Sequence, residues 1–264
     1  MDSHMSAHDK LAKAKRIIES LQGDVDRAIA SNALFTRCAF KNDINNAVNN
    51  TMVAHGFTRV RESLYVDLVV ALMRIRGGEP RDDDATLPAV MKLLSDKDVQ
   101  AALREDARKR RLTRPHVYLG KPDPKIESII EESRRKSAEK SADEVVRKIR
   151  SAIRTWPRHE NDEIVKKLCK LRNKHVAHST LDPSPHGVRY SDLTLVLSKT
   201  IPIVEKLLVN VTGVQINFSE SGKIWQTRAG YFWRHVAKGP FETRVARSMA
   251  TRRKRGGRAT ARID

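Results

Sequence analysis

Aromatic side chains are scarce in this 264-residue chain: six Phe, four Tyr and three Trp. Sheets draw on β-branched and aromatic residues, so an apolar content resting on Leu, Ile, Val and Ala favours helices. Cysteine is nearly missing too, with only Cys38 and Cys169. Both sit in helical patterns at no zinc-like spacing, so they read as reduced core residues of an intracellular protein. No apolar run reaches membrane-spanning length; LYVDLVVALM is short and carries Asp67. No signal peptide is visible, and the opening MDSHM reads as a cloning remnant with Met5 as the natural start. No strand-like alternation persists and no segment repeats. These absences together point to an all-α bundle in the cytoplasm.

Acidic residues are in deficit. Lys plus Arg number 51 against 32 Asp plus Glu, a formal charge of +19. So large an excess implies a polyanionic partner: nucleic acid first, an acidic membrane or protein second. A solvated basic surface is the plainer reading, and charge alone does not decide between them.

Helical spacing organises what is present. Leu11, Ala14, Ile18, Leu21, Val25 and Ala28 predict a first helix from about residue 9. Leu34, Phe35, Cys38, Ile44 and Val48 predict a second over roughly 31–50. Phe57, Val60, Leu64, Leu68, Leu72 and Ile75 share one face of a third, stopped by Gly77 and Gly78. Two shorter helices follow, the first with Thr86 as N-cap. Residues 113–124, with three prolines, read as a hinge. Beyond it, 125–156 is a long helix with apolar ends at Ile126, Ile129 and Ile130 and at Val145 to Trp156. Its polar middle is expected to be exposed, and Pro157 to end it. Residues 160–179 form the next helix. Another starts near Ser191 and closes at Gly213, and a last one covers about 222–238 with Ile224, Tyr231, Phe232, Trp233 and Val236. The expected organisation is one helical domain over 6–238, with N-terminal helices 9–112 and motif-bearing helices 125–238. A disordered basic tail would occupy 239–264.

The stretch KLCKLRNKHVAHST, 167–180, carries the oddest residue. On a helical wheel Ile164, Val165, Leu168, Cys169, Leu171 and Val176 share one side, with Lys166, Lys167, Lys170, Lys174 and Ala177 opposite. Arg172 projects near the middle of the apolar side, His175 shares that side, and Asn173 and His178 flank it on opposite edges. A buried arginine needs a partner. Arg172 therefore either meets a buried carboxylate or lines a cleft that takes an anion, for which its fork suits phosphate. Histidine trades protons near neutral pH. RNA is cut when its 2′-hydroxyl attacks the adjacent phosphate, given a base, an acid and positive charge at the transition state. Arginine and histidine supply these without a metal or cofactor. One copy is ill placed, since Arg172 and His178 stand roughly 9 Å apart along a helix axis; two copies facing each other would bring two of each into one cleft. The structural alternatives are an ion-paired Arg172, a packed His175, a His178 that caps the last carbonyls, and an Asn173 that is simply a surface residue.

The segment LRNKHVAHS resembles the Arg-x4–6-His signature of the HEPN superfamily, with Asn173 as the polar residue after the arginine. With the upstream pair LYVDLVVALMRIRGG…TLPAVMKLL and the late YFWRHV helix, it is similar to the AbiU branch of abortive-infection HEPN proteins, over about 10–238. The resemblance implies an antiparallel helical bundle of HEPN type with accessory helices, dimerising with its motifs face to face. It also implies a metal-independent endoribonuclease of a toxin or antiphage system, under an antitoxin or other regulator. Arg172 and His178 would be catalytic, Asn173 supporting, and His175 at most accessory. Some members carry a modifiable tyrosine two residues past the histidine; here that position is Thr180, which argues against that control. Other members only bind RNA or protein.

The dense basic runs are 107–116, 133–137 and 251–258. Lys174 and, in the tail, Arg252, Arg253, Lys254 and Arg255 are the expected phosphate contacts. Trp225, Tyr231 and Trp233 either stack bases or belong to the core. The competing outcomes are a ribonuclease, a non-catalytic HEPN module that binds RNA or a partner protein, and a purely structural bundle.

Overall fold

The computed structural model describes residues 5–48, 54–77, 85–113, 124–160, 162–171 and 188–237, and all the regular structure among them is helical. The elements are α1 Ala7–Phe40, α2 Asn42–Val48, α3 Ala54–Arg76, α4 Leu87–Ser95, α5 Lys97–Leu112, α6 Pro124–Glu160, α7 Glu163–Leu171, α8 Tyr190–Leu207, a π turn Leu208–Thr212, and α9 Phe218–Ala237. None of these helices is long and apolar enough to cross a membrane.

Helix α1 is the axis of the bundle. Ser6 caps it by accepting from the Asp9 amide, and the expected ladder from Leu11 to Ala28 is buried throughout. It runs on to Phe40, where the spacing predicts two helices. The reason is that Ser31 is not a breaker here: its hydroxyl is buried and donates to Asp67 on α3, so the chain satisfies it without leaving the helix. Ser31 facing Asp67 and Asp24 facing Arg74 set α3 antiparallel to α1. Tyr190 of α8 reaches Asn32 and Thr36, and α8 in turn runs parallel to α3, since Tyr65 meets Val188 and Arg76 meets Thr200.

The larger core joins α1, α3, α4, α5, α6, α7 and α8; a smaller one holds Cys38, Ile44, Val48, Phe57, Ala229 and Trp233. On α3, Val60 leaves the expected apolar face and stands exposed, while Phe57, Leu68, Leu72 and Ile75 are buried. Thr86 caps α4 as expected. Gly77, with φ at 65°, follows α3 immediately. Gly213, with φ at 79°, closes the π turn that extends α8, a widening that nothing in the spacing foretold.

Helix α6 departs most from expectation. Ile126 and Ile129 are exposed, whereas Val146, Ile149 and Trp156 at the far apolar end are buried as expected, and the polar middle adds a contact through Ala138 and Ala142. Alanines let α5 approach closely, and charged pairs tie the rims: Arg104 holds Glu139 and Asp143, each at 2.7 Å, and Arg134 donates to the Leu112 carbonyl. Pro157 does not end α6, which continues to Glu160. Proline at that point removes a single N–H, and Trp156 beside it is anchored in the core. Helix α9 begins four residues earlier than expected. It buries Phe218, Ala229 and Trp233 but leaves Ile224, Tyr231, Phe232 and Val236 exposed, because only the Trp233 face meets α1.

Candidate functional site

Arg172, Asn173, Lys174, His175, His178 and Thr180 lie outside the described residues, as do Arg252, Arg253, Lys254 and Arg255. The described residues define the frame that delivers the motif: helix α7, which leads into it, and the start of α8, which follows it.

Helix α7 bears out the amphipathic wheel as far as Leu171. Val165, Leu168 and Leu171 are buried, Ile164 and Cys169 are half-buried, and Lys166, Lys167 and Lys170 are exposed. It starts at Glu163 rather than 160, since Glu160 belongs to α6. Asp162 begins it, accepting from the Ile164 amide at 3.0 Å. The same carboxylate takes the Lys199 ammonium of α8 at 2.6 Å, which pins the start of α7 to the middle of α8. The far end of α7 is set against the end of α3, where the Cys169 thiol faces the Gly77 carbonyl at 3.7 Å.

Beneath this junction lies an arginine outside the predicted motif. Arg76, the last residue of α3, is 3% exposed. Its Nε donates to the Thr200 hydroxyl at 3.0 Å, and its guanidinium lies 5.5 Å from the centre of the Trp156 ring. Burial pulls its pKa down to about 10, against the opposing pull of Asp162, so it stays charged at neutral pH. For Asp162, burial raises the carboxyl, but the Lys199 ammonium, the Ile164 amide and the Arg76 charge outweigh it and hold the group below its ordinary value. Beside them opens a groove of about 330 Å³ between α6 and α8, lined by Trp156, Thr155, Lys199 and Lys206. Helices α3, α6, α7 and α8 thus converge on a positively charged junction at the start of α7, ten residues ahead of Arg172 in the sequence. The signal for Arg76 was available: at one and two helical steps of four from Leu72 and Leu68, it falls on the apolar face of its own helix.

The other end of the motif segment is held by aromatic residues. The Tyr65 hydroxyl donates to the Val188 carbonyl at 3.2 Å. Tyr190 stacks on Phe35 with ring centres 4.6 Å apart, and its hydroxyl donates to Asn32 Oδ1 at 2.6 Å. The Arg189 amide donates to Asp192 at 2.8 Å, closing the first turn of α8. Of the aromatic residues proposed for stacking, Trp233 is core, Trp225 is half-buried and Tyr231 is exposed.

The Asp162 link has a measurable consequence. Because its folded pKa is depressed, its contribution is present above the unfolded value of about 3.9 and lost as pH falls through the folded one. Asp162→Asn is expected to cost on the order of 1 kcal/mol at neutral pH in a urea titration, and the difference should vanish in acid. A constant difference across that range would break the assignment.

A family model, that of the HEPN proteins named AbiU2, matches residues 11–223 of the chain. No curated protein and no solved structure matches it.

Proposed function

Because the chain belongs to the AbiU2 family of HEPN proteins, we propose that it is a metal-independent endoribonuclease of a bacterial abortive-infection or toxin system. It works in the cytoplasm as a homodimer under a cognate antitoxin or other regulator. What supports this is the Arg172–Asn173–x4–His178 spacing inside the matched span. The segment that carries it runs between two anchored ends, Leu171 in the core and Val188 against Tyr65.

In this reading His178 of one copy takes the proton of the 2′-hydroxyl, whose oxygen attacks the adjacent phosphorus. The phosphorane-like charge falls on Arg172, and the second copy's histidine gives a proton to the departing 5′-oxygen. The P–O5′ bond breaks, leaving a 2′,3′-cyclic phosphate and a free 5′-hydroxyl. Asn173 supports the histidine, and His175 is at most accessory. Residues 6–238 form the catalytic domain. Lys174 and the tail cations Arg252, Arg253, Lys254 and Arg255 hold flanking phosphates.

An RNA digest with EDTA present, followed by end-group analysis, tests the function. Cyclic or 3′-phosphate ends in undiminished yield are expected. Salt-sensitive binding with no cleavage would replace this reading with that of a non-catalytic RNA-binding module.

A further inference from the structure

A second basic groove lies at the other end of α8, about 27 Å along the helix from the point where the motif segment rejoins it. It measures about 440 Å³ and is bounded by the end of α5, the middle of α6 and the π turn. Arg110 and Arg111 come from α5 and Lys148 from α6; the polar side chains of Asn210 and Gln215 complete the wall.

The hydrogen bonding makes the groove a donor surface. Helix ends present carbonyls, which would repel an anion, and four of those here already accept hydrogen bonds. Thr113 donates to the Lys109 carbonyl and Arg134 to that of Leu112. Arg110 donates to the Asn210 carbonyl at 3.1 Å, and the Gly213 amide to that of Leu208 at 3.0 Å. The carboxylates are shared out as well. Asp106 lies between Lys15 and Arg110, and Glu144 between Lys148 and Arg147. Arg111 has no ion pair among the described residues, so positive charge is in excess.

The backbone is shaped around the guanidinium. A Cβ at position 213 would run into Arg110. The left-handed Gly213 and the π turn before it let the chain pass close against the Arg110 side chain. Such widened turns are rare and concentrate at functional sites. Sequence alone marks Arg110 and Arg111, which lie in the 107–116 basic run.

We propose that this groove is a phosphate-binding exosite, in which Arg110, Arg111 and Lys148 hold a backbone phosphate of the RNA strand at a distance from the cleavage motif. The proposal rests on the part of the proposed function that makes RNA the ligand, cut or only bound. It adds an anchoring point that favours strands long enough to span both places. A free nucleotide offers the same phosphate chemistry, and the experiment separates the two.

The test uses the full chain carrying His178→Ala, so that RNA stays intact. A fluorescent single strand of roughly 16 nucleotides and a fluorescent ATP are titrated across a range of salt, with and without Arg111→Gln plus Lys148→Gln. Equal thermal midpoints establish that the double variant is folded. The expected result is about tenfold weaker RNA binding, with the salt slope reduced by about 1.4 for two lost contacts. Unchanged RNA affinity and slope would overturn the proposal. So would double-variant-sensitive ATP binding beside unaffected RNA binding, and so would a chain that binds no RNA at all. RNA that is bound through the groove but never cut by the wild type would sink the ribonuclease reading and leave the exosite standing.

Discussion

His178→Ala is expected to lower RNA cleavage by a factor of about 10² to 10⁴, the usual contribution of a positioned proton donor or acceptor. Arg172→Ala should cost about 10² to 10³, the scale of one lost group opposite a developing oxyanion. Both are read as initial rates with EDTA present. Variants that cut as fast as the parent would remove the assignment. The composite character of the site adds a sharper result. If one histidine acts as base and the other as acid, a dimer with one altered copy is inactive. Mixing wild type with an equal amount of His178→Ala, and allowing subunits to exchange, leaves about one quarter of dimers with two intact copies. Cleavage should then fall with the square of the wild-type fraction. A linear fall would mean that each copy carries a sufficient site alone.

Periodicity made the helices around α1 legible because their buried faces are made of large aliphatic residues, as at Leu11 to Ala28 and Leu193 to Val211. It failed where burial was achieved by other means. The middle of α6 packs on Ala138 and Ala142, too small to show in the spacing of large apolar residues, while Ile126 and Ile129 remain in solvent. The run of α1 through Ser31 was not legible because the partner of its hydroxyl, Asp67, is distant in sequence. The same limitation applied to the site. The helical wheel expects an arginine on an apolar face at Arg172, and the structure buries another at Arg76. Only the former stood out, because histidines follow it. What marks Arg76 is Thr200, Trp156 and Asp162, which come from three other segments of the chain.

That buried guanidinium leads to the second large effect. Arg76→Ala is expected to cost about 3 to 5 kcal/mol in urea unfolding, a large part of the 5 to 15 kcal/mol typical of a domain. The substitution opens a cavity against Trp156, strips the Thr200 hydroxyl of its donor and removes a cation that steadies Asp162. Arg76→Met separates shape from charge. It fills most of the volume without burying a charge, and such exchanges are often nearly neutral, so it should cost less than about 2 kcal/mol. The charge still matters to its neighbour. With Arg76 gone, the Asp162 carboxyl loses one of the influences that depress it and moves back toward its unfolded value, so the stability lost in acid should shrink. Arg76→Met should therefore flatten the acid limb of the stability profile by lowering its neutral plateau more than its acid end. Thr200→Val, which removes the acceptor of Arg76 and the donor to the Val196 carbonyl, should lower the plateau by about 1 to 2 kcal/mol. Combined with Arg76→Met it should cost less than the sum of the two, because each has already broken the same contact. Strict additivity would mean that Arg76 and Thr200 act independently, and the junction under α7 would then owe its rigidity to the Asp162–Lys199 link instead.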